Sequence, residues 1–285
     1  MKALLTIYFL LLTFFGFSQE KKAFELYDAI GKKVSYYKMM KQLEKQDVVF
    51  FGEFHNNTLV HWLQLQVLKD LSNKRLMRFG LEMFERDQQE IINRYLNDEI
   101  NEKAFDTLTR FWSNYSTDYH PMVNFAKEQN IPVIATNVPR KYANMLFKQG
   151  EEILYNLPSE EKQWIAPLPF PFDAELSSYI KMLDMFENET RKNLNFPKAQ
   201  AIKDATMAYS IVENWKPNSL FFHINGSFHT NHYEGIIWYV NHYNPNLKIK
   251  SITVVEVDDI STFNTEDKLL ADYIFYIPSD MIKSY

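Results

Sequence analysis

Two segments of this 285-residue chain share one form, a short apolar run followed by Gly-x-x-His: Gly52-Glu53-Phe54-His55 and Gly226-Ser227-Phe228-His229. A glycine at the end of a strand permits a sharp turn or a close backbone approach. The histidine then sits on the turn or at the start of the next helix. Glu82 lies near the close of a third apolar run, Arg78 to Met83. Two imidazoles with Glu53 and Glu82 form a set of nitrogen and oxygen donors suited to a divalent metal such as Mn, Fe, Co or Zn. The same four residues suit general acid–base chemistry, with a glutamate as base and a histidine as proton carrier. Helix capping and loop hydrogen bonding is the plainer account of any one of them alone. Agreement among separate segments is what favours a site.

Other residues fall around this set. His61 follows His55 by six positions on an expected helix, where it either faces the same crevice or is a half-buried helix histidine. His232 follows His229 by three, so both could face one side of a helix start. His223 alternates with Ile224 inside an apolar run and is expected to be satisfied in the core, while His120 and His242 are expected at the surface. Gln64, Gln88 and Asp204 fill polar gaps in otherwise apolar helices, where they could line the site. Tyr119, before His120-Pro121, is of a type that ligates ferric iron as a phenolate; a tyrosine packed with its hydroxyl in water is the alternative.

These residues need elements to carry them. Apolar runs at Val48 to Phe51, Arg78 to Met83, Pro132 to Thr136, Leu220 to Ile224, Ile249 to Val257 and Tyr273 to Ile277 have the length of strands buried on both faces. Helix-period stretches separate them: Thr58 to Leu71, Asp87 to Leu96, Met122 to Gln129, Arg140 to Lys148, Leu176 to Arg191, Ala199 to Trp215 and Tyr233 to Tyr243. The alternation predicts an α/β fold with a mostly parallel central sheet flanked by helices. The stretch 141–216, interrupted by Pro158, Pro167, Pro169 and Pro171, reads as a helical insertion capping the C-terminal ends of the strands. Ligands in such folds bind beyond those ends. Glu53, His55, Glu82, Asn137, Asn225 and His229 are therefore expected to converge on one crevice.

Composition excludes several classes. There is no cysteine, hence no disulfide, no thiol nucleophile and no Cys-ligated zinc or iron–sulfur cluster. The seven glycines form neither G-x-G-x-x-G nor a P-loop, and no serine sits in G-x-S-x-G. A formal charge of −5 gives no footprint for nucleic acid. Aromatic residues reach 16%, much flat apolar surface for a core or a flat ligand. Lys2, the apolar run Ala3 to Phe15 and the ending Gly16-Phe17-Ser18 have the form of a secretory signal over residues 1–18, cleaved after Ser18. A single domain over 19–285 is expected, soluble in the periplasm or outer envelope after cleavage, with no cysteine to carry a lipid anchor.

Six segments, in order, carry a resemblance. They are Gly52-Glu53-Phe54-His55-Asn56 with His61 and Gln64; Gly80-Leu81-Glu82-Met83-Phe84 with Asp87-Gln88-Gln89; and Trp112 with Tyr119-x-Pro121 and Phe125-Ala126. The others are Ile131 to Arg140; Ala199-Gln200 with Asp204 to Ala208; and His223 to Thr230. From about Asp47 to Gly235 the chain resembles the ChaN-like haem-binding uptake family of the Tiki superfamily. The resemblance implies an α/β fold and haem binding in iron acquisition at the bacterial envelope. The haem-contacting residues it suggests here are Tyr119, His55, His61, His229, Asn225 and Trp112, whose large ring can stack on a porphyrin. The wider superfamily instead implies a metal-dependent hydrolase using Glu53, His55, Glu82 and His229. Envelope haem-uptake components are the partners implied, and a homodimer is left open.

Overall fold

The structure, a computed structural model, describes residues 21–184 and 193–285. The expected signal segment and residues 185–191 of the expected helix Leu176 to Arg191 lie outside the described residues. Among the described residues seven strands form one sheet in the order β1-β7-β6-β2-β5-β3-β4. They are β1 (Glu25–Asp28), β2 (Val48–Glu53), β3 (Leu76–Glu85), β4 (Val133–Asn137), β5 (Ser219–Gly226), β6 (Ile249–Val257) and β7 (Tyr273–Pro278). Every pairing is parallel except β1 with β7. All six expected strands form. The seventh, β1, is four residues long, ends in charge at both termini and pairs at an edge, so no apolar run announces it.

Alternation along β2 divides the core. Val49 and Phe51 pack with Leu63, Val67, Phe79, Leu81, Phe222 and Ile224 on one face. Val48 and Phe50 pack with Ile134, Tyr142, Leu146, Ala201, Ile202 and Phe221 on the other. The first face is covered by α1 (Tyr36–Leu43), α2 (Thr58–Ser72), α3 (Gln89–Leu96), α4 (Glu102–Leu108) and α5 (His120–Glu128). The second is covered by α6 (Arg140–Gln149), α7 (Glu152–Tyr155), α9 (Ser177–Asp184), α10 (Asn195–Asn214) and α11 (Ile236–Tyr243), while the short α8 (Ser159–Lys162) buries no residue and is tied on by Glu161, which accepts from the Tyr142 hydroxyl at 2.6 Å. The expected insertion is therefore helical. It packs on the second face and reaches the strand ends through Gln200 and Asp204 of α10. Burial of both faces is what makes each central strand a continuous apolar run. Among the described residues no helix is long and apolar enough to cross a membrane.

Candidate functional site

The register of β2, β5 and β3 builds the site. Glu53 pairs with Gly226 across β2 and β5, and Leu81 pairs with Ile224 across β3 and β5, so all three strands end at one edge. Parity sends Glu53 to the face of Phe51 and Glu82 to the face of Gly80. Each carboxylate then collects its own partners.

On the first face, the turn after β2 is closed by Asn57, whose Oδ1 accepts from Leu59 N at 3.1 Å and Val60 N at 3.3 Å. That cap, worth about 1 kcal/mol, starts α2 and fixes the entry of the chain. His61, one turn in, returns to the site: Nε2 lies 3.1 Å from the His55 carbonyl and Nδ1 3.1 Å from Gln64 Oε1. Glu53 Oε1 receives the Tyr119 hydroxyl at 2.5 Å and lies 2.8 Å from His55 Nδ1, while Oε2 accepts from Gln64 Nε2 at 2.6 Å. Buried Asp118 stands 3.4 Å from His61 Nε2 and accepts from Asn114 at 2.7 Å and Ser284 at 2.6 Å. A π-helical turn, Tyr115–Tyr119, carries Asp118 and Tyr119 inward together.

On the second face, His229 stands between two carboxylates. Nδ1 is 2.5 Å from Asp204 Oδ1 and Nε2 is 3.2 Å from Glu82 Oε1. Glu82 Oε2 accepts from the Gly226 N–H at 2.7 Å. Burial opposes an imidazolium here, but the charges of Glu82 and Asp204 outweigh it and push His229 up to about 10. Burial also pushes the Asp204 carboxyl up against the pull of His229; the proton is placed on the imidazole, because two carboxylates face one ring. Glu82 is held well below the usual carboxylate range, since His229, His55 and the Gly226 N–H overcome its burial.

The halves meet over Gly226. Its φ of −56° is ordinary backbone, so the glycine is needed for space. A Cβ there would lie 2.8 Å from His55 Nε2 and 3.7 Å from Glu82 Oε2. His55 is raised above 6.5: burial opposes the charge, but the Glu53 hydrogen bond and Glu82 prevail. Gly226→Ala is therefore expected to push the imidazole off Glu53 and return its titration toward 6.5. An NMR titration of His55 checks this; an unchanged curve contradicts the arrangement.

Several expectations are corrected. Glu53, His55, Glu82 and His229 do converge, but not as one metal shell. Among the described residues no group of three or more His, Asp or Glu is placed to hold a metal ion. Opposite parity on β2 and β3 turns each glutamate to its own imidazole. Tyr119 is not an open ligand: it is fully buried, and burial followed by the Glu53 charge pushes its phenol far above its ordinary value. Asn225 is also buried, spanning His223 Nδ1 at 3.1 Å and Thr230 Oγ1 at 3.1 Å, so it braces the turn. Asn137 pairs with Glu85 after a register shift in β3, three residues beyond Glu82. His232 has φ of 60°, which breaks the turn and removes it from the face of His229. His223 is satisfied in the core as expected, between Asn225 and Thr136 Oγ1 at 2.8 Å. His120 is half-buried, 3.1 Å from Glu102.

Of the suggested haem-contacting histidines, His61 and His229 have both ring nitrogens engaged. His55 differs. Its side chain is 35% exposed, Glu53 orients Nδ1, and Nε2 has no hydrogen-bond partner among the described residues. Trp112 meets it edge-on, with ring centroids 4.8 Å apart at 77°. Beside them opens a cavity of about 890 Å³, lined by Trp112, Phe111, Met83 and Pro139 among others and bordered by Asn114, which donates to the His55 carbonyl at 2.7 Å. That volume lies in the range of small-molecule and cofactor sites. Trp112 and Phe111 on the cavity lining, with the imidazole that Trp112 touches keeping one nitrogen free, fit haem.

The fold is similar to a solved structure described as cofacial heme binding to ChaN of Campylobacter jejuni, at 20% identity and a TM-score of 0.67, covering 90% of this chain and 98% of that one. The type III effector HopBA1 is 10% identical with a TM-score of 0.48, over 84% of this chain and 91% of that one. Protein RETICULATA-RELATED 5, chloroplastic, of Arabidopsis thaliana is 22% identical over 164 residues, 53% of this chain. The chain spans only 22% of that relative's length. The model of the family described as haem-binding uptake, Tiki superfamily, ChaN matches residues 39–240, more than two thirds of the chain. That match spans both Gly-x-x-His turns, Trp112 and Asp204, and by it the chain belongs to the ChaN haem-binding uptake family of the Tiki superfamily.

Proposed function

We propose that this chain binds haem at the crevice over Gly226, with His55 as the iron contact, and serves iron or haem uptake at the bacterial envelope. The observation that carries the reading is half-buried His55, with Nε2 free, set edge-on against Trp112, whose ring in turn lines the neighbouring cavity. Haem would supply an iron atom for a nitrogen donor and a broad apolar plane. The residues present do the rest. Glu53 accepts from Nδ1 and so fixes the ring and its tautomer, as carboxylates behind metal-bound histidines commonly do. Tyr119 and Gln64 hold Glu53 in turn. Trp112 and Phe111 offer flat surface; Phe111 is itself stacked on Tyr115 at 3.7 Å, which stiffens that wall. Titration of the purified protein with haemin is expected to give a shifted Soret band that saturates at fixed stoichiometry. Spectra that merely sum free haemin and protein contradict the reading.

The envelope assignment rests on residues 1–18 as an export signal, with one domain following over 19–285 and envelope uptake components as partners. N-terminal sequencing of the periplasmic form is expected to begin at Gln19. Retention of Met1 in protein released only by detergent contradicts it.

A second reading, hydrolysis, is favoured by His229, whose imidazolium between Asp204 and Glu82 has the form of an oriented proton donor. Turnover of a chromogenic ester that His229→Leu abolishes supports it. No turnover across ester, peptide and phosphodiester substrates ends it.

A further inference from the structure

The cavity beside Trp112 carries a charge pattern that an apolar plane alone does not call for. Arg110, Arg140 and Lys141 line it against Glu85 and Asp87, a cationic surplus on a chain whose net charge is −5. Both carboxylates are already engaged. Glu85 Oε2 meets Arg110 Nη2 at 2.8 Å, and Glu85 Oε1 accepts from the Arg140 backbone N–H at 3.1 Å. Asp87 Oδ1 accepts from the same Arg110 nitrogen at 2.5 Å. Lys141 lies 3.4 Å from Glu161 and rests over the rings of Tyr142 and Trp164 at 4.6 Å and 5.7 Å. One cation is left over. The Arg140 guanidinium has no ion pair or hydrogen bond among the described residues.

An aromatic wall and an unpaired guanidinium in one cavity match a flat apolar molecule with carboxylates on its edge. Guanidinium and carboxylate are complementary forks that pair through two parallel hydrogen bonds. We infer that this cavity reads the carboxylate edge of the ligand, with Arg140 pairing a carboxylate while Phe111 and Trp112 take the adjoining plane. The inference rests on the haem reading, and for haem the carboxylates are its two propionates. Arg140 is then a specificity residue. It separates haem from porphyrins that lack free acids, and it does so without touching the iron.

The test compares haemin with haemin dimethyl ester, in the same nonionic detergent, on the full chain and on Arg140→Ala and Arg140→Lys. Soret titrations give the affinities, and circular dichroism checks the fold; Arg140 is exposed at a helix start, so the variants are expected to fold. The unsubstituted protein is expected to favour haemin over the ester by about tenfold or more, ~1.4 kcal/mol. Arg140→Ala should erase that preference while leaving ester affinity and the position of the haemin Soret band unchanged. Arg140→Lys should keep part of it, as a point charge without the fork. Equal binding of haemin and ester by the unsubstituted protein overturns the inference and leaves the haem reading standing. An undiminished preference in Arg140→Ala overturns it equally. Binding of neither porphyrin overturns the haem reading and this inference together.

Discussion

Asp204→Ala is expected to destabilise the protein by about 3–5 kcal/mol, the cost of removing one partner from a buried ion pair. His229 and Asp204 are both buried, and the ring would keep its charge with only Glu82 opposite. Urea unfolding measures the loss. Replacing both groups with apolar residues, as in Asp204→Leu with His229→Met, should cost less than Asp204→Ala alone, because no buried charge is stranded. A double variant less stable than the single one would contradict this description of the cluster.

The same cluster has a pH signature. His229 is raised in the folded state from an ordinary 6.5 to about 10. Its contribution is therefore fully present below 6.5 and lost as pH rises through about 10. Glu82 is shifted the other way, so its contribution is present above its ordinary 4.5 and lost as pH falls below that. The stability difference between the unsubstituted protein and His229→Leu should shrink steadily from pH 6.5 toward pH 10. A constant difference across that range would place the proton elsewhere.

His55→Ala is expected to weaken haemin binding by at least about a hundredfold, ~2.7 kcal/mol, and to change the Soret position. Tyr119→Phe is the informative partner. The sequence offers Tyr119 as a candidate phenolate ligand beside the alternative of a packed tyrosine; in the structure the hydroxyl is buried and donates to Glu53. Its removal should cost about 1 kcal/mol of stability, one buried hydrogen bond, and leave the spectrum that of a histidine ligand. Loss of a phenolate charge-transfer band in Tyr119→Phe, with His55→Ala silent, would reverse the two roles.

Much of this site is legible in the sequence for a physical reason. Strands buried on both faces leave uninterrupted apolar runs, and parallel strands bring their polar ends to one edge. That places Glu53, His55, Glu82 and His229 together before any coordinate is known. What the runs do not encode is parity at the edge. One residue along β2 or β3 exchanges faces, and on that turns the difference between one metal shell and two imidazole–carboxylate sets. Asp118 and Asn114 were hidden for another reason. They lie on and beside a π-helical turn, whose spacing follows neither helix nor strand period. Asp204 showed as a polar gap in an apolar helix and as part of the resemblance, and Gln200, one turn before it, had no signal beyond the resemblance. The role of Arg140 depends on which neighbouring charges are already paired, and composition does not reveal pairing. Phe186, within the stretch 141–216, lies outside the described residues.

The most direct measurement is a crystal structure of the haem-loaded protein. Iron is expected on His55 Nε2, with the porphyrin edge entering the cavity between Trp112 and Arg140. Haem density at another surface, or iron bonded to a residue other than His55, would contradict it.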